Sequence, residues 1–221
     1  MKFYVLTNPH GFGRLAVTDF STAEPVRLGE APKCPVCGKF IGMLPWLPPH
    51  RAELELWSGE FGDIAFGPGN ELLVSERFAG VYRDWGLTGL TGFHDVEITR
   101  VLRRSGPRLR KPPPSYYCVG VCRSRAAVDV QASGLGLKAP WTCEECRSGF
   151  IVRSERVVVE EGTWSGEDVF FARGLPGTIL TSEHFREFFE ANEINNGVLV
   201  QAHKYAFDYY PEGGGESVAR P

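Results

Sequence analysis

The sequence predicts an α+β fold of two β-rich pseudo-repeats, each with one main helix, linked by a zinc-ribbon-like pair of CxxC knuckles. Three observations predict it. Residues 57–78 and 164–185 repeat each other, a CxxC pair precedes each copy, and short apolar runs of strand length surround two amphipathic stretches.

The two copies read WSGEFGDIAFGPGNELLVSERF and WSGEDVFFARGLPGTILTSEHF. Aligned without gaps they share ten positions, from Trp57/Trp164, Ser58/Ser165, Gly59/Gly166 and Glu60/Glu167 to Ser75/Ser182, Glu76/Glu183 and Phe78/Phe185. Cys37 precedes Trp57 by 20 residues and Cys146 precedes Trp164 by 18. Further upstream, Phe3-Tyr4-Val5-Leu6 matches Tyr116-Tyr117-Cys118-Val119. Each half therefore reads as strand, CxxC turn, strand, WSGE segment, strand, helix, strand.

The helices have their own local signals. Ser75 and Ser182 are N-cap residues, and Glu76 and Glu183 follow at the positive end of the helix dipole. Phe78, Val81, Tyr82 and Trp85 fall on one helical face, as do Phe185, Phe188 and Phe189. Gly86 ends the first helix and Asn195-Asn196-Gly197 the second. Strand-like runs follow at Asp95–Thr99 and Val198–Val200. The repeated WSGE segment reads as a fold-defining turn, because one active site rarely needs two copies of itself.

These elements divide the chain into a first pseudo-repeat at 1–102, a basic Pro-rich linker at 103–114, a second pseudo-repeat at 115–212 and a flexible tail at 213–221. Of 221 residues, 43% are hydrophobic and 23% charged, enough for a sizeable core. The net charge of −3 argues against a general nucleic-acid coat. It is unevenly spread. Residues 151–221 carry six Lys/Arg against twelve Asp/Glu, whereas 103–150 carry nine against three. Glu160, Glu161, Glu167, Asp168, Glu187, Glu190 and Glu193 suggest an acidic face suited to a basic protein partner. No apolar run has the length of a membrane span, and the start is too short for a secretory signal, so a cytoplasmic protein with reduced thiols is expected.

The chemistry rests on Cys34-Pro35-Val36-Cys37-Gly38 and Cys143-Glu144-Glu145-Cys146-Arg147. Each CxxC turn brings two thiolates to one ion, and two turns complete the tetrahedral shell of Zn²⁺. Cys34, Cys37, Cys143 and Cys146 are thus the candidate metal ligands, in a closed and therefore structural site. Gly38 suits the tight turn, whereas Arg147 stands where Gly is usual. Empty knuckles and thiol redox chemistry are the competing readings. A thioredoxin-type CxxC opens a helix, which Pro45, Pro48 and Pro49 argue against after Cys37. Cys118 and Cys122 lie four apart on a strand and read as packed thiols. No phosphate loop or nucleophile elbow occurs, and His10, His50, His94, His184 and His203 are scattered, so no catalytic residue is expected.

The two CxxC motifs, together with Trp164–Phe170, Ala172–Gly177 and Ser182–Phe185, resemble the myxobacterial double-CXXCG-motif family over nearly the whole chain. The resemblance implies an immunity protein of swarm-inhibition polymorphic toxins: a non-enzymatic cytoplasmic protein that binds and neutralises a cognate toxin domain. The alternative is a zinc-ribbon nucleic-acid-binding or regulatory module using the basic linker with Arg123, Arg125 and Arg147.

Overall fold

β1 (Phe3–Thr7) and β9 (Tyr116–Ala127) organise the fold, because β1 pairs with two strands of the second half and β9 pairs with strands of both halves. The computed structural model describes residues 1–12, 18–57, 60–104 and 112–209. It is mixed α+β, mostly strand, with two α-helices among the described residues. The first half adds β2 (Thr18–Thr22), β3 (Arg27–Leu28), β4 (Trp46–Leu47), β5 (His50–Leu56), β6 (Ile64–Ala65), β7 (Glu71–Ser75), α1 (Glu76–Asp84) and β8 (Leu90–Arg103). The second adds β10 (Gly136–Leu137), β11 (Ile151–Ser154), β12 (Val169–Arg173), β13 (Ile179–Ser182), α2 (Glu183–Ala191), β14 (Val198–Gln201) and β15 (Phe207–Asp208).

One ten-stranded sheet runs β14-β1-β13-β12-β9-β8-β5-β2, with β7 also on β9 and β6 on β7. The first strand of each half pairs with strands of the other half in matching register. Phe3 faces Ser182 and Leu6 faces Ile179 across β1 and β13. Tyr116 faces Ser75 and Val119 faces Leu72 across β9 and β7. On the other edges, Thr7 faces Val198 and Gly120 faces Thr91.

Both helices are nine residues long and start alike. Ser75 Oγ accepts the Phe78 N–H and Ser182 Oγ accepts the Phe185 N–H, each at 3.1 Å. Their apolar faces bury Phe78, Tyr82, Phe185 and Phe188 in one core with Leu6, Leu72, Val119 and Ile179 from the sheet. The opposite sheet face closes two further cores, one around Val5, Phe170 and Leu180, the other around Phe20, Leu54, Leu73 and Tyr116. The helix stops differ from expectation in the second half. Gly86 takes a left-handed φ of 66° after α1, but after α2 it is Glu193, at φ 48°, that does so, two residues before the expected Asn-Asn-Gly stop. Of that trio, Asn196 is also left-handed, at φ 60°, and serves the loop instead.

Each helix start is braced by a buried aspartate. Asp63 Oδ1 accepts from Ser75 Oγ at 2.8 Å and pairs with Arg77, while Asp168 Oδ1 accepts from Ser182 Oγ at 2.7 Å and lies 3.3 Å from His184 Nδ1. Each aspartate also holds the segment beyond the other helix. Asp63 exchanges backbone and side-chain hydrogen bonds with Asn195, and Asp168 Oδ2 accepts from the N–H and hydroxyl of Thr88. The ungapped alignment paired Asp63 with Phe170, so it needs a shift of two residues here. Asp63 lies 12 residues before its serine and Asp168 lies 14 before its own. A two-residue shift keeps every strand side chain on its own face, so the apolar pattern concealed it.

Strand β8 reaches Arg103, and Arg104 pairs with Glu55 at 2.9 Å. The rest of the expected linker lies partly outside the described residues (105–111), as does the expected tail at 213–221.

Candidate metal centre

The first knuckle sits in the loop between β3 and β4, and the second between β10 and β11. In the first, Cys34 O accepts the Gly38 N–H at 2.9 Å, and Cys34 N–H donates to Lys39 O at 2.8 Å. Gly38 takes a φ of 72°, a left-handed turn that glycine adopts without steric cost. In the second, Cys143 O accepts the Arg147 N–H at 2.9 Å, and Arg147 takes a φ of 46°. The arginine therefore builds the same turn at a steric cost. Its side chain offsets that cost through ion pairs to Glu144 at 3.1 Å and Glu160 at 2.7 Å, a hydrogen bond to Val128 O and a place over the Trp141 ring.

All four expected cysteines meet. Cys34, Cys37, Cys143 and Cys146 have their sulfurs within 4.8 Å of one another and could hold a metal ion. Cys34 Sγ lies 3.9 Å from Cys143 Sγ, and Cys37 Sγ lies 3.7 Å from Cys146 Sγ, across 109 residues in both cases. All four are free thiols. Lys39 Nζ donates to Thr142 Oγ1 at 2.7 Å and Ser148 Oγ to Phe40 O at 3.4 Å, stitching the two turns together. Cys34 is 2% exposed, and the Cys37 backbone N–H aimed at its sulfur lowers its thiol to about 7. Burial raises Cys146 to about 12, and hydrogen bonds shared with the other three sulfurs add to the rise. Four sulfurs this close cannot all ionise together unless a cation balances them, which is the condition a metal supplies.

The remaining candidates serve other ends. Cys118 and Cys122 are raised to about 12 and about 11, chiefly by burial, and Cys122 Sγ donates to Val169 O. Trp164 packs edge-on against Phe3, and its Nε1–H donates to Glu167 O at 3.0 Å. Ser58 and Gly59 of the first WSGE copy lie outside the described residues. His10 contacts Asp19 at 2.6 Å and His184 contacts Asp168. His50 is buried, stacked on Trp46 with ring centroids 4.7 Å apart, and neither ring nitrogen has a hydrogen-bond partner among the described residues. Of the seven acids proposed for an acidic face, Glu160 pairs with Arg147, Glu167 accepts from Ser124 and Ser165, and Asp168 is buried in the helix brace. Glu187 and Glu190 stay largely exposed beside Arg186.

Sequence reasoning missed the paired aspartates, His50 and the compensation around Arg147. The aspartates left one signal, an Asp directly before the apolar strand that precedes each strand ending in a capping serine. Among the described residues no helix is long and apolar enough to cross a membrane. No protein-family model matches the chain, and no curated protein matches it.

Proposed function

We propose that this chain is an immunity protein, a non-catalytic cytoplasmic protein that binds and neutralises a cognate toxin domain. Its scaffold is two pseudo-repeats clipped by one structural Zn²⁺ on Cys34, Cys37, Cys143 and Cys146. The observation that carries the reading is the four-sulfur cluster itself, which joins segments 109 residues apart and holds a loop of exposed apolar side chains. Phe40, Met43 and Leu44 on that loop, with Leu28, stand exposed around a groove of about 610 Å³, and Val36 and Leu47 are exposed as well. Apolar side chains left out in this number suit a protein partner.

Zinc is supported by distance. Four thiolates on a tetrahedral zinc sit about 3.8 Å apart, from metal–sulfur bonds of about 2.3 Å. Two of the sulfur–sulfur separations, 3.7 and 3.9 Å, bracket that value, and all lie within 4.8 Å. With four sulfur ligands no position stays open for substrate, so the ion's part is to fix two loops. The duplication is supported by the matched strand registers and by the reciprocal braces of Asp63 and Asp168.

Co-expression with a candidate cognate toxin domain tests the reading. Cells making both should survive and should die when this chain is deleted, whereas equal killing with and without it would end the proposal. Charge reversal at Glu187 and Glu190 should weaken the complex, read as a rise in Kd by calorimetry, and unchanged affinity would move the contact away from α2. The nucleic-acid or regulatory reading keeps one observation in its favour, the arginines beside the sulfur cluster.

A further inference from the structure

Beside the metal centre lies a cavity of about 480 Å³, within the size range of small-ligand sites. Cys34 and Cys146 form part of one wall, and β9 and β12 supply the opposite side. Four arginines border it, but they are not equivalent. Arg147 is neutralised by Glu144 and Glu160. Arg173 donates to Arg125 O at 2.9 Å and faces Glu145 at 4.0 Å. Arg123 and Arg125 have no carboxylate partner among the described residues. They are two residues apart on one strand, so their side chains leave β9 on the same side, about 7 Å apart.

Arg123 is the informative one. Its guanidinium lies over the Phe171 ring, 5.9 Å from the centroid, and partial burial lowers its pKa. It also rests against Gly42, where a Cβ would come within 1.9 Å of Nη2, so the glycine leaves room for it. Arg123 stays exposed at the cavity, so its guanidinium donors, unpaired with any carboxylate among the described residues, are open to a bound anion. The rest of the lining is partly apolar and carries one carboxylate, Glu145, which faces Arg173 rather than the other arginines. Phe40, at 62% exposure, lines the cavity together with Pro35 and Pro176.

We propose that this cavity binds a nucleotide-sized organic phosphate, with the phosphoryl group on Arg123 and Arg125 and a planar base against Phe40 and the prolines. Two guanidinium forks match the several oxygens of a phosphate better than one ammonium could. Exposed aromatic and proline surfaces accept a base by stacking. The site shares Phe40 with the groove described above, but nucleotide binding is tested without any toxin and does not rest on the toxin-binding reading.

Titration calorimetry of the full-length zinc-loaded chain tests it, using adenosine monophosphate, guanosine monophosphate, inorganic phosphate and a single-stranded DNA decamer. The expected result is one-to-one binding of a mononucleotide, tighter than inorganic phosphate and weakened about tenfold or more in Arg123→Met and in Arg125→Ala. Arg123→Met keeps an unbranched stem against Phe171 and Gly42, and an unchanged melting temperature shows that each variant is folded. Tighter binding of the decamer, lost in the same variants, assigns the phosphate to a nucleic-acid strand. Tighter binding of a mononucleotide assigns a free one. Failure of every probe to bind at millimolar concentration, or equal affinity in the wild type and both folded variants, overturns the proposal.

Discussion

Arg147 holds a backbone conformation that costs a side chain about 1–2 kcal/mol. Two carboxylates and the Trp141 ring hold it there. Arg147→Ala should therefore destabilise the protein, because it keeps the strain and loses the contacts. Arg147→Gly should fall less, since it loses the contacts and the strain together. Thermal melts of the two variants check this, and an alanine variant no less stable than the glycine one contradicts it. His50 makes a second test at this scale. Burial lowers its pKa from the ordinary 6.5, with His94 adding to the effect. The folded protein thus keeps it neutral where the unfolded chain takes up a proton. Stability from this group is complete above about pH 6.5 and is lost as pH falls from there towards the folded value. Denaturant midpoints at about pH 7.5 and about pH 5 should converge more in His50→Phe, which keeps the stack on Trp46, than in the wild type.

At the scale of elements, the capping serines and the aspartates behind them decide where α1 and α2 begin. Ser75→Ala and Ser182→Ala should each cost about 1 kcal/mol. Asp168→Ala should cost more, about 2–3 kcal/mol, because it leaves the buried Ser182 hydroxyl and the Thr88 N–H without an acceptor. Urea unfolding orders the three variants, and an aspartate variant as stable as the serine ones would show that the brace across the helices carries nothing. The helices were legible in sequence because a cap, a following glutamate and an aromatic stripe all act within a few residues. The second stop was not, since Glu193 has no residue-type signal for a left-handed turn and is held there by the chain around it. The strand partners were equally hidden. Nothing local to Phe3 states that it will face Ser182 rather than a strand of its own half.

Across the whole molecule, the four-cysteine cluster was the easiest feature to read, because CxxC spacing is a local rule and two such turns bring four sulfurs within reach of one ion. What the spacing did not carry is the surrounding architecture, which depends on contacts between distant segments. Arg123 and Arg125 were visible as basic residues, but their lack of a carboxylate ion-pair partner among the described residues and the cavity they border exist only once β9 and β12 pair. The centre also has a role that follows from topology. The halves already share one sheet through β1 and β9, and the four sulfurs join them a second time through two loops outside it. Closing a loop of this length costs only a few kcal/mol of chain entropy, while structural zinc contributes on the order of 10 kcal/mol. Removing the ion should therefore loosen the 26–47 loop and the groove beside it before the sheet gives way.

That claim is tested most directly by measuring metal content together with the melting temperature before and after chelation. The account expects one equivalent of zinc per chain and a melting temperature lowered by at least about 10 °C when the ion is removed, restored on adding zinc back. Less than half an equivalent in protein purified without chelator, with a melting temperature indifferent to chelation, would contradict it.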